Sequence, residues 1–310
     1  MKRMLSSTAS ELLNMSKELT AIQSSEGRII VSEMTMNGAP DALDNASIGE
    51  LYAAFGADML LLNKFDVFHP FIQNIDGTNS DDCIHTLRSY TGKLVGLNLE
   101  PVPDSSDLKT EQVQLCKGRM ASVEAAEKAV QLGVDYIVLT GNPDTGVTNA
   151  AMIEATKKLK EAVGDKVILI AGKMHAAGCL KEAGANIISK DTIKSRIGQS
   201  GIIIITGADI ILLPAPGTVP GITLDYVCDL VSYCHSLEVM TLTAIGTSQE
   251  DADTETLRHI ALLCKMSGTD LHHIGDAGHA GCVAESIMTY SIVIRGKRHT
   301  YNRMATSVLR

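Results

Sequence analysis

Short apolar runs recur along the chain, each followed by a polar loop and then by a segment with helical spacing of apolar residues. Eight such runs lie at 28–34, 58–64, 93–99, 135–140, 166–171, 209–214, 239–245 and 270–274. Short, wholly apolar strands are typical of a parallel sheet that is covered on both faces. The intervening helices are clearest at 122–132, 149–163, 224–237, 251–266 and 282–294. Strands and helices that alternate in this way predict a single-domain (β/α)8 TIM barrel.

Four of the predicted strands begin after the same joint, in which a glycine precedes an aspartate by two positions. The joints are Gly56 to Asp58, Gly133 to Asp135, Gly207 to Asp209 and Gly268 to Asp270. Glycine adopts the left-handed conformation that commonly ends a helix. We therefore predict that each of these glycines ends a helix with a positive φ and that the strand begins at the aspartate.

Three segments lie outside the regular alternation. Residues 185–189 (ANIIS) have the composition of a ninth strand, and we interpret them as an excursion within one βα unit. Residues 1–27 are predicted to form a helical extension that covers one end of the barrel. Residues 296–310 form a basic tail, which we expect to be solvated or to contact another subunit. A doubly wound open sheet is the alternative fold, but no GxGxxG follows the first strand.

The composition restricts the function classes. Hydrophobic residues make up 45% of the chain with only 4% aromatic residues and no Trp, which predicts an aliphatic core. The formal net charge of −9 argues against sequence-independent nucleic-acid binding, which needs a basic surface. Seven cysteines without a CxxC pair predict reduced thiols in the cytoplasm. No apolar window approaches the ~20 residues of a membrane span. We also expect a homo-oligomer.

Two lysines follow predicted strands at the end where (β/α)8 barrels place their reacting groups. Lys64 and Lys173 could each form a Schiff base or hold an oxyanion. His175 lies two positions after Lys173 and is a candidate acid–base group. Lys190 becomes a competitor if residues 185–189 form a strand. Each lysine could also be an ordinary solvated loop residue.

Three carboxylates follow other strands and form a candidate metal site. Glu33, Glu100 and Asp144 could converge on Mg²⁺, which prefers oxygen ligands and often accompanies phosphorylated substrates. They could equally pair with Lys64 and Lys173 as a structural charge network. Glu33 and Glu100 are candidate catalytic residues together with the lysines and His175.

The loops after the last two strands are rich in glycine and predict an anion site. The candidate residues are Gly246, Thr247, Ser248, Gly275, Gly278 and Gly281. Glycines let backbone N–H groups approach an anion, and a following helix N-terminus favours negative charge. These loops are the usual phosphate site of (β/α)8 barrels. The alternative is that the glycines only form tight turns, and Asp276 would repel a phosphate.

Two adjacent histidines lie within the eighth predicted strand. Side chains alternate along a strand, so one of His272 and His273 should point into the barrel and the other outward. No other Cys or His lies at ligand spacing, so we do not expect zinc there.

Three stretches resemble a known family. They are DYIVLTGNPDTGVTN (135–149), GADIILLPAPGTVPG (207–221) and HIGDAGHAG (273–281). In these stretches the chain resembles a family of bacterial barrel proteins without a settled activity, some of them labelled phosphonomutase-like, and 135–149 is also similar to BtpA-like barrels. The resemblance implies a TIM-type barrel. The KKCGH-type loop of the phosphonomutase superfamily is missing, so the resemblance assigns no catalytic residue.

These observations lead to two expected functions. The first is an enzyme that acts on a small phosphorylated metabolite by lyase, aldolase or isomerase chemistry at the carboxyl-terminal mouth of the barrel. The second is a non-catalytic barrel that binds a metabolite and acts as a regulator or assembly factor.

Overall fold

Eight parallel strands close into a barrel in the order in which they occur along the chain. The computed structural model describes residues 3–4, 12, 15–36, 43–103, 115–197, 207–246, 249, 252–275 and 284–308. The strands are β1 (Ile29–Thr35), β2 (Met59–Asn63), β3 (Leu94–Leu99), β4 (Tyr136–Leu139), β5 (Ile168–Gly172), β6 (Ile210–Pro214), β7 (Met240–Ile245) and β8 (Leu271–Ile274). Closure comes from the pairing of β8 with β1, in which His273 lies beside Val31. The predicted (β/α)8 barrel is confirmed.

Helices surround the barrel and follow the strands. The described helices are α1 (Met15–Gln23), α2 (Ile48–Ala54), α3 (Cys83–Thr91), α4 (Val123–Leu132), α5 (Asn149–Val163), α6 (Lys190–Ile197), α7 (Leu224–Ser236), α8 (Thr254–Ser267) and α9 (Ala284–Ala305). Residues Gly184–Ile187 form a short 3-10 helix ahead of α6. The interpretation of 185–189 as an excursion between β5 and β6 is therefore confirmed. Among the described helices, none is long and apolar enough to cross a membrane.

Aliphatic side chains fill the inside of the barrel. Alternate residues of the strands form one cluster, which includes Val31, Leu61, Val138, Ile170 and Leu212. The other face of each strand packs against the helices in a second, larger cluster. The amino-terminal end of the barrel is closed by Met4, Leu12, Ala21 and Ile22. This agrees with the prediction that an N-terminal helix covers one end of the barrel.

Three of the four joint glycines have the predicted left-handed conformation. The φ angles are 106° at Gly56, 89° at Gly133 and 82° at Gly268. The prediction is wrong for Gly207, which is not among the residues with positive φ. A Cβ atom on Gly207 would lie 1.7 Å from the carbonyl oxygen of Arg196. Glycine is therefore required at 207 because a neighbouring backbone approaches it closely, and not because a helix ends there.

The four joint aspartates make the same pair of hydrogen bonds to the preceding strand. Each carboxylate accepts the backbone N–H of one residue at 2.7 to 2.9 Å. The backbone N–H of the aspartate donates to the carbonyl of that same residue at 2.8 to 3.1 Å. We call this arrangement the aspartate clamp. The clamps join Asp58 to Ile30, Asp135 to Val95, Asp209 to Leu169 and Asp270 to Thr241.

A cation or histidine lies against each clamp, and two of these cations come from the C-terminal segment. Arg295 and Arg303 both pair with Asp58, and all three side chains are buried. Thr300 is buried as well, and the helix is kinked at Gly296. The expectation of a solvated tail is therefore wrong for Thr300 and Arg303. The buried carboxylate of Asp58 needs these cations, because an unpaired buried charge is strongly destabilising.

Candidate active site

Polar side chains replace aliphatic ones at the carboxyl-terminal end of the barrel interior. Glu33, Asn63, Asn98 and His273 occupy positions that alternate in register with the inward cluster of β1, β2, β3 and β8. All four residues are buried. Thr140 directly follows β4 at the same end and is also buried. The functional groups of a (β/α)8 barrel are found at this end, which makes the polar layer the candidate active site.

Glu33 and His273 form a buried pair within this layer. The Nε2 atom of His273 lies 2.6 Å from Oε2 of Glu33. The two residues are brought together because β8 pairs with β1 where the barrel closes. A carboxylate can only accept a hydrogen bond, so the imidazole hydrogen is on Nε2. Nδ1 of His273 is buried and has no hydrogen-bond partner among the described residues. His272 points outward, where its Nε2 contacts the carbonyl of Gly27 at 3.0 Å, so the predicted alternation is confirmed.

Three asparagines form a linked cluster beside the pair. Asn63 and Asn142 exchange hydrogen bonds of 2.9 and 3.0 Å through their side-chain amides. Nδ2 of Asn98 donates to Oδ1 of Asn63 at 3.3 Å. The backbone N–H of Lys64 donates to that same oxygen at 2.8 Å. The cluster thus connects the ends of β2, β3 and β4.

Glu100 holds the loop after β4 and is fully engaged. Its Oε1 atom pairs with Arg119 at 2.6 Å, and its Oε2 accepts the backbone N–H of Asn142 at 2.9 Å. Glu100 therefore helps to position Asn142. In this arrangement the side chain acts as a support of the site.

The two predicted lysines are in very different surroundings. Lys173 is buried, and its Nζ contacts Glu182 at 2.6 Å, the carbonyl of Val147 at 2.8 Å and the carbonyl of Ala176 at 3.2 Å. All three hydrogens of that ammonium group are used within the protein. Lys64 is half-buried and has a left-handed backbone with φ of 58°. No described contact occupies its amine, so Lys64 is the lysine that could meet a substrate.

His175 and Lys190 lie outside the polar layer. Burial and the nearby charge of Lys173 lower the pKa of His175 to about 4. Nδ1 of His175 accepts the backbone N–H of Ala177 at 3.0 Å, so the ring is neutral near pH 7 and supports a turn. Lys190 begins α6 and pairs with Asp229 at 2.7 Å on the surface. Because 185–189 is not a strand, Lys190 does not reach the mouth.

The three carboxylates predicted to hold magnesium are not brought together. Glu33 pairs with His273, Glu100 pairs with Arg119, and Asp144 is exposed. Over the part of the chain that the structure describes, no group of three or more His, Cys, Asp or Glu side chains could hold a metal ion. The predicted convergence of these three residues is therefore wrong. Their strands end at separate points around the barrel, and each carboxylate has another contact or faces solvent.

The predicted anion site is described only in part. The glycines Gly246 and Gly275 follow β7 and β8 and lie close together, because a Cβ on Gly275 would be 3.2 Å from the Cα of Gly246. The backbone N–H of Gly275 donates to the carbonyl of Ile245 at 2.7 Å. The other predicted residues, Thr247, Ser248, Gly278 and Gly281, lie outside the described residues, as does Asp276. The anion site stays a prediction.

His273 and Asn98 were not among the sequence-derived catalytic candidates. The alternation along β8 predicts that one histidine points into the barrel, and Glu33 is a candidate only through its position after the first strand. Only the closure of β8 onto β1 shows that these two side chains meet. Asn98 had a sequence signal as well, since it is a polar residue near the end of an otherwise apolar strand.

The closed parallel barrel with its polar carboxyl-terminal layer defines a (β/α)8 barrel protein. The chain belongs to the family DUF7916, a domain of unknown function, which matches residues 5–310. A comparison with curated proteins gives no match. The narrower resemblances to phosphonomutase-like and BtpA-like barrels stay predictions.

Solved structures with similar folds are distant relatives at most. The YdjI aldolase from Escherichia coli K12 is 11% identical, with 83% of this chain and 78% of that chain covered and a TM-score of 0.47. A 2,3-dimethylmalate lyase of the PEP mutase/isocitrate lyase superfamily is 11% identical over 84% and 81%, with a TM-score of 0.47. The tetrameric deoxyribose phosphate aldolase from Aeropyrum pernix is 11% identical over 86% and 90%, also with a TM-score of 0.47. No activity of this chain follows from similarity at this level.

Proposed function

We propose that the protein is an enzyme that acts on a small phosphorylated metabolite by lyase, aldolase or isomerase chemistry at the mouth of the barrel. The observation that carries the proposal is the buried pair of Glu33 and His273. A carboxylate that holds one nitrogen of an imidazole leaves the other nitrogen free to move a proton. That other nitrogen, Nδ1, has no partner in the described part of the chain.

In the cleavage reaction, His273 is the general base. Its Nδ1 takes the proton of a substrate hydroxyl, and the oxygen's electron pair forms a new carbonyl group. The carbon–carbon bond breaks, and its electron pair moves onto the fragment that carries the original carbonyl, which becomes an enolate. Glu33 stabilises the imidazolium that results, as a buried carboxylate does for a catalytic histidine. In the isomerase version the same nitrogen takes a proton from the carbon next to the carbonyl.

Lys64 and the asparagine cluster bind the substrate and stabilise the charge that develops on it. The amine of Lys64 either forms a Schiff base with the carbonyl or stabilises the enolate as a cation. Asn63, Asn98 and Asn142 bind polar substrate atoms. The glycine-rich segments that follow β7 and β8 bind the phosphate through backbone N–H groups. A magnesium ion, homo-oligomerisation and a cytoplasmic location remain predictions from the sequence.

The proposal is tested by following proton exchange in heavy water. The purified protein is incubated with a panel of phosphorylated hydroxyketones, hydroxyaldehydes and hydroxy acids in D2O. Proton NMR then detects cleavage or the replacement of a carbon-bound proton by deuterium. We expect His273→Gln to lower the rate at least ~100-fold, the usual contribution of a general base. Glu33→Gln should lower it as well.

A matched control is available in the same strand. His272 is buried like His273 but points outward, so His272→Gln should fold as well as His273→Gln does and should leave the rate within about threefold of wild type. Equal rates for His273→Gln and wild type would overturn the assignment. No reaction of the wild type with any compound of the panel, with and without Mg²⁺, would count against the enzyme proposal.

The second candidate is a metabolite-binding barrel without catalysis. Two side chains predicted to be catalytic favour this candidate, because they are not available to a substrate. The ammonium group of Lys173 and both carboxylate oxygens of Glu100 are bonded within the protein. The two candidate functions are distinguished by measuring ligand binding and proton exchange on the same protein. A binder would show saturable affinity for a phosphorylated compound and no His273-dependent exchange.

A further inference from the structure

Three buried polar atoms that face the inside of the barrel at its mouth have no hydrogen-bond partner among the residues that the structure describes. They are Oδ1 of Asn98, Nδ1 of His273 and Oγ1 of Thr140. The residues are only 3%, 0% and 4% exposed. Buried polar groups in native proteins are nearly always bonded, and each exception needs an explanation. A ligand that enters the mouth would supply the missing partners.

The orientation of Asn98 is fixed by its neighbours. A backbone N–H can only donate, so the bond from Lys64 identifies the Asn63 atom that receives it as the carbonyl oxygen Oδ1. Asn98 must then turn its Nδ2 toward that oxygen, at 3.3 Å. Its own Oδ1 is left pointing away from Asn63. Asn98 therefore presents a hydrogen-bond acceptor to the mouth.

His273 presents a second acceptor. In the form in which His273 acts as the proposed base, Glu33 accepts the hydrogen on Nε2 and Nδ1 carries a lone pair. Asn98 and His273 lie at inward positions of β3 and β8, in register with the inward residues Leu94 and Leu271. Both acceptors therefore face the inside of the barrel. The hydroxyl of Thr140, at the end of β4, can donate or accept.

We propose that the substrate is a polyhydroxylated phosphate ester, of the sugar or polyol phosphate class, whose hydroxyl groups enter the barrel and donate to Asn98 and His273. This inference rests on the proposed function and specifies its substrate. A carbonyl or carboxylate oxygen at either position would face a lone pair and gain nothing. An ammonium group is a poorer match, because the buried carboxylates Glu33 and Glu100 already pair with His273 and Arg119.

The proposal predicts a preference between two phosphate esters that cannot react. Erythritol 4-phosphate and n-butyl phosphate have the same carbon chain and the same phosphate and differ only in their hydroxyl groups. Neither has a carbonyl, so binding is measured without turnover. We expect calorimetry to show that the wild type binds erythritol 4-phosphate at least about tenfold more tightly, since sites with buried acceptors reject ligands that lack the donor.

The variant Asn98→Leu tests whether the acceptor of Asn98 causes the preference for the hydroxylated ester. Leucine has the same branched heavy-atom skeleton as asparagine but no acceptor, so most of the preference should disappear. The affinity for n-butyl phosphate should stay within about twofold of wild type or increase, because burying apolar groups against leucine is favourable. The control is Thr156→Val, which deletes a buried hydroxyl of α5 that bonds the carbonyl of Met152. It should keep the full preference.

The outcomes separate this inference from the proposed function. Equal affinity of the wild type for the two esters would overturn the substrate class and leave the His273-dependent exchange as it stands. A preference that survives in Asn98→Leu would overturn the assignment of the donor site to Asn98. If neither ester binds, both the substrate class and the phosphate part of the proposed function are wrong. A failure of proton exchange alone, with the preference intact, would instead favour the binding barrel.

Discussion

Asp209 and Leu169 are joined by two hydrogen bonds that run in opposite directions. The carboxylate of Asp209 accepts the N–H of Leu169 at 2.8 Å, and the N–H of Asp209 donates to the carbonyl of Leu169 at 2.8 Å. The other oxygen of Asp209 pairs with Lys160 at 2.6 Å. The side chain of Asp209 thus bonds both β5 and Lys160 of α5, at the end of the barrel opposite the mouth.

Removing this clamp should destabilise the barrel without affecting the site. Asp209→Ala leaves a buried N–H and a largely buried ammonium without partners, which costs about 3 kcal/mol. Asp229→Ala is the matched control, because Asp229 also pairs with a lysine but on the surface, and it should cost less than about 1 kcal/mol. Urea denaturation measures the free energy of unfolding of both variants. Similar losses for the two variants would show that the clamp does not stabilise the fold.

A second prediction concerns Gly207. Gly207→Ala forces a Cβ against the backbone of Arg196, which cannot give way, so we expect a loss of about 3 kcal/mol. Gly217→Ala is the comparison. Gly217 has φ of 84° and no atom within 4 Å of an added Cβ, so only backbone strain of about 1 kcal/mol applies. The reverse order of melting temperatures would contradict the close-approach explanation.

Glu18 should make stability depend on pH. Burial and the neighbouring charge of Asp135 raise the pKa of Glu18 from 4.5 to about 8. The folded state therefore binds this proton more tightly than the unfolded state does. Its contribution to stability is complete below the unfolded pKa and is lost as the pH rises from 4.5 through about 8.

Glu18→Gln removes this titration and keeps a donor to Asp135. The variant should be more stable than wild type above about pH 8, by at least about 1 kcal/mol, and its pH profile should be flatter. Unfolding free energies between about pH 5 and about pH 9 provide the measurement. Glu161→Gln, an exposed change on α5, is the control. Parallel profiles for wild type and Glu18→Gln would rule out the shifted carboxyl group.

The two mouth lysines should respond differently to reductive trapping. We expect borohydride with a pool of aldehydes and ketones to label Lys64, because the amine of Lys173 is already bonded on all sides. Lys173→Met should leave the label in place but lower stability by about 2 kcal/mol. Lys64→Met should abolish the label at little cost in stability. Peptide mass spectrometry identifies the modified residue, and a label on Lys173 would contradict the assignment.

The last prediction is the phosphate site after β7 and β8. Gly278→Val should weaken the binding of inorganic phosphate at least about tenfold, because a branched side chain blocks the approach of an anion to the backbone. The circular dichroism spectrum and melting temperature serve as the check on folding. Equal phosphate affinities for the two proteins would place the anion elsewhere in the molecule.

The fold could be predicted from the sequence because its signals are local. Each strand is a short apolar run, and three of the four joint glycines have the left-handed conformation that helix ends require. The prediction for Gly207 is wrong because the atom that demands a glycine belongs to Arg196, and no local sequence pattern shows that approach. The burial of Arg303 was missed for the same reason, since Asp58 lies far away in the sequence.

The candidate site was predicted only as a set of positions. The polar residues at the strand ends did mark the mouth, because any barrel of this type ends its strands there. Which of them meet depends on strand register and on loops. Glu33 and His273 meet because the barrel closes between β8 and β1. Glu182, which lies in the excursion after β5, forms an ion pair with the amine of Lys173.

The aspartate clamps divide the barrel into four repeating quarters. Each clamp lies inside one quarter, joining β1 to β2, β3 to β4, β5 to β6 and β7 to β8. At the seams, the residues ahead of the odd-numbered strands are Arg28, Lys93, Val167 and Val239, none of which has a carboxylate. The seams are held by ladder bonds, by packing and, at the mouth, by side-chain bonds such as Asn98 to Asn63 and His273 to Glu33. One of them, between β8 and β1, is where Glu33 meets His273, so the proposed catalytic pair itself supplies a side-chain bond across a seam that has no clamp.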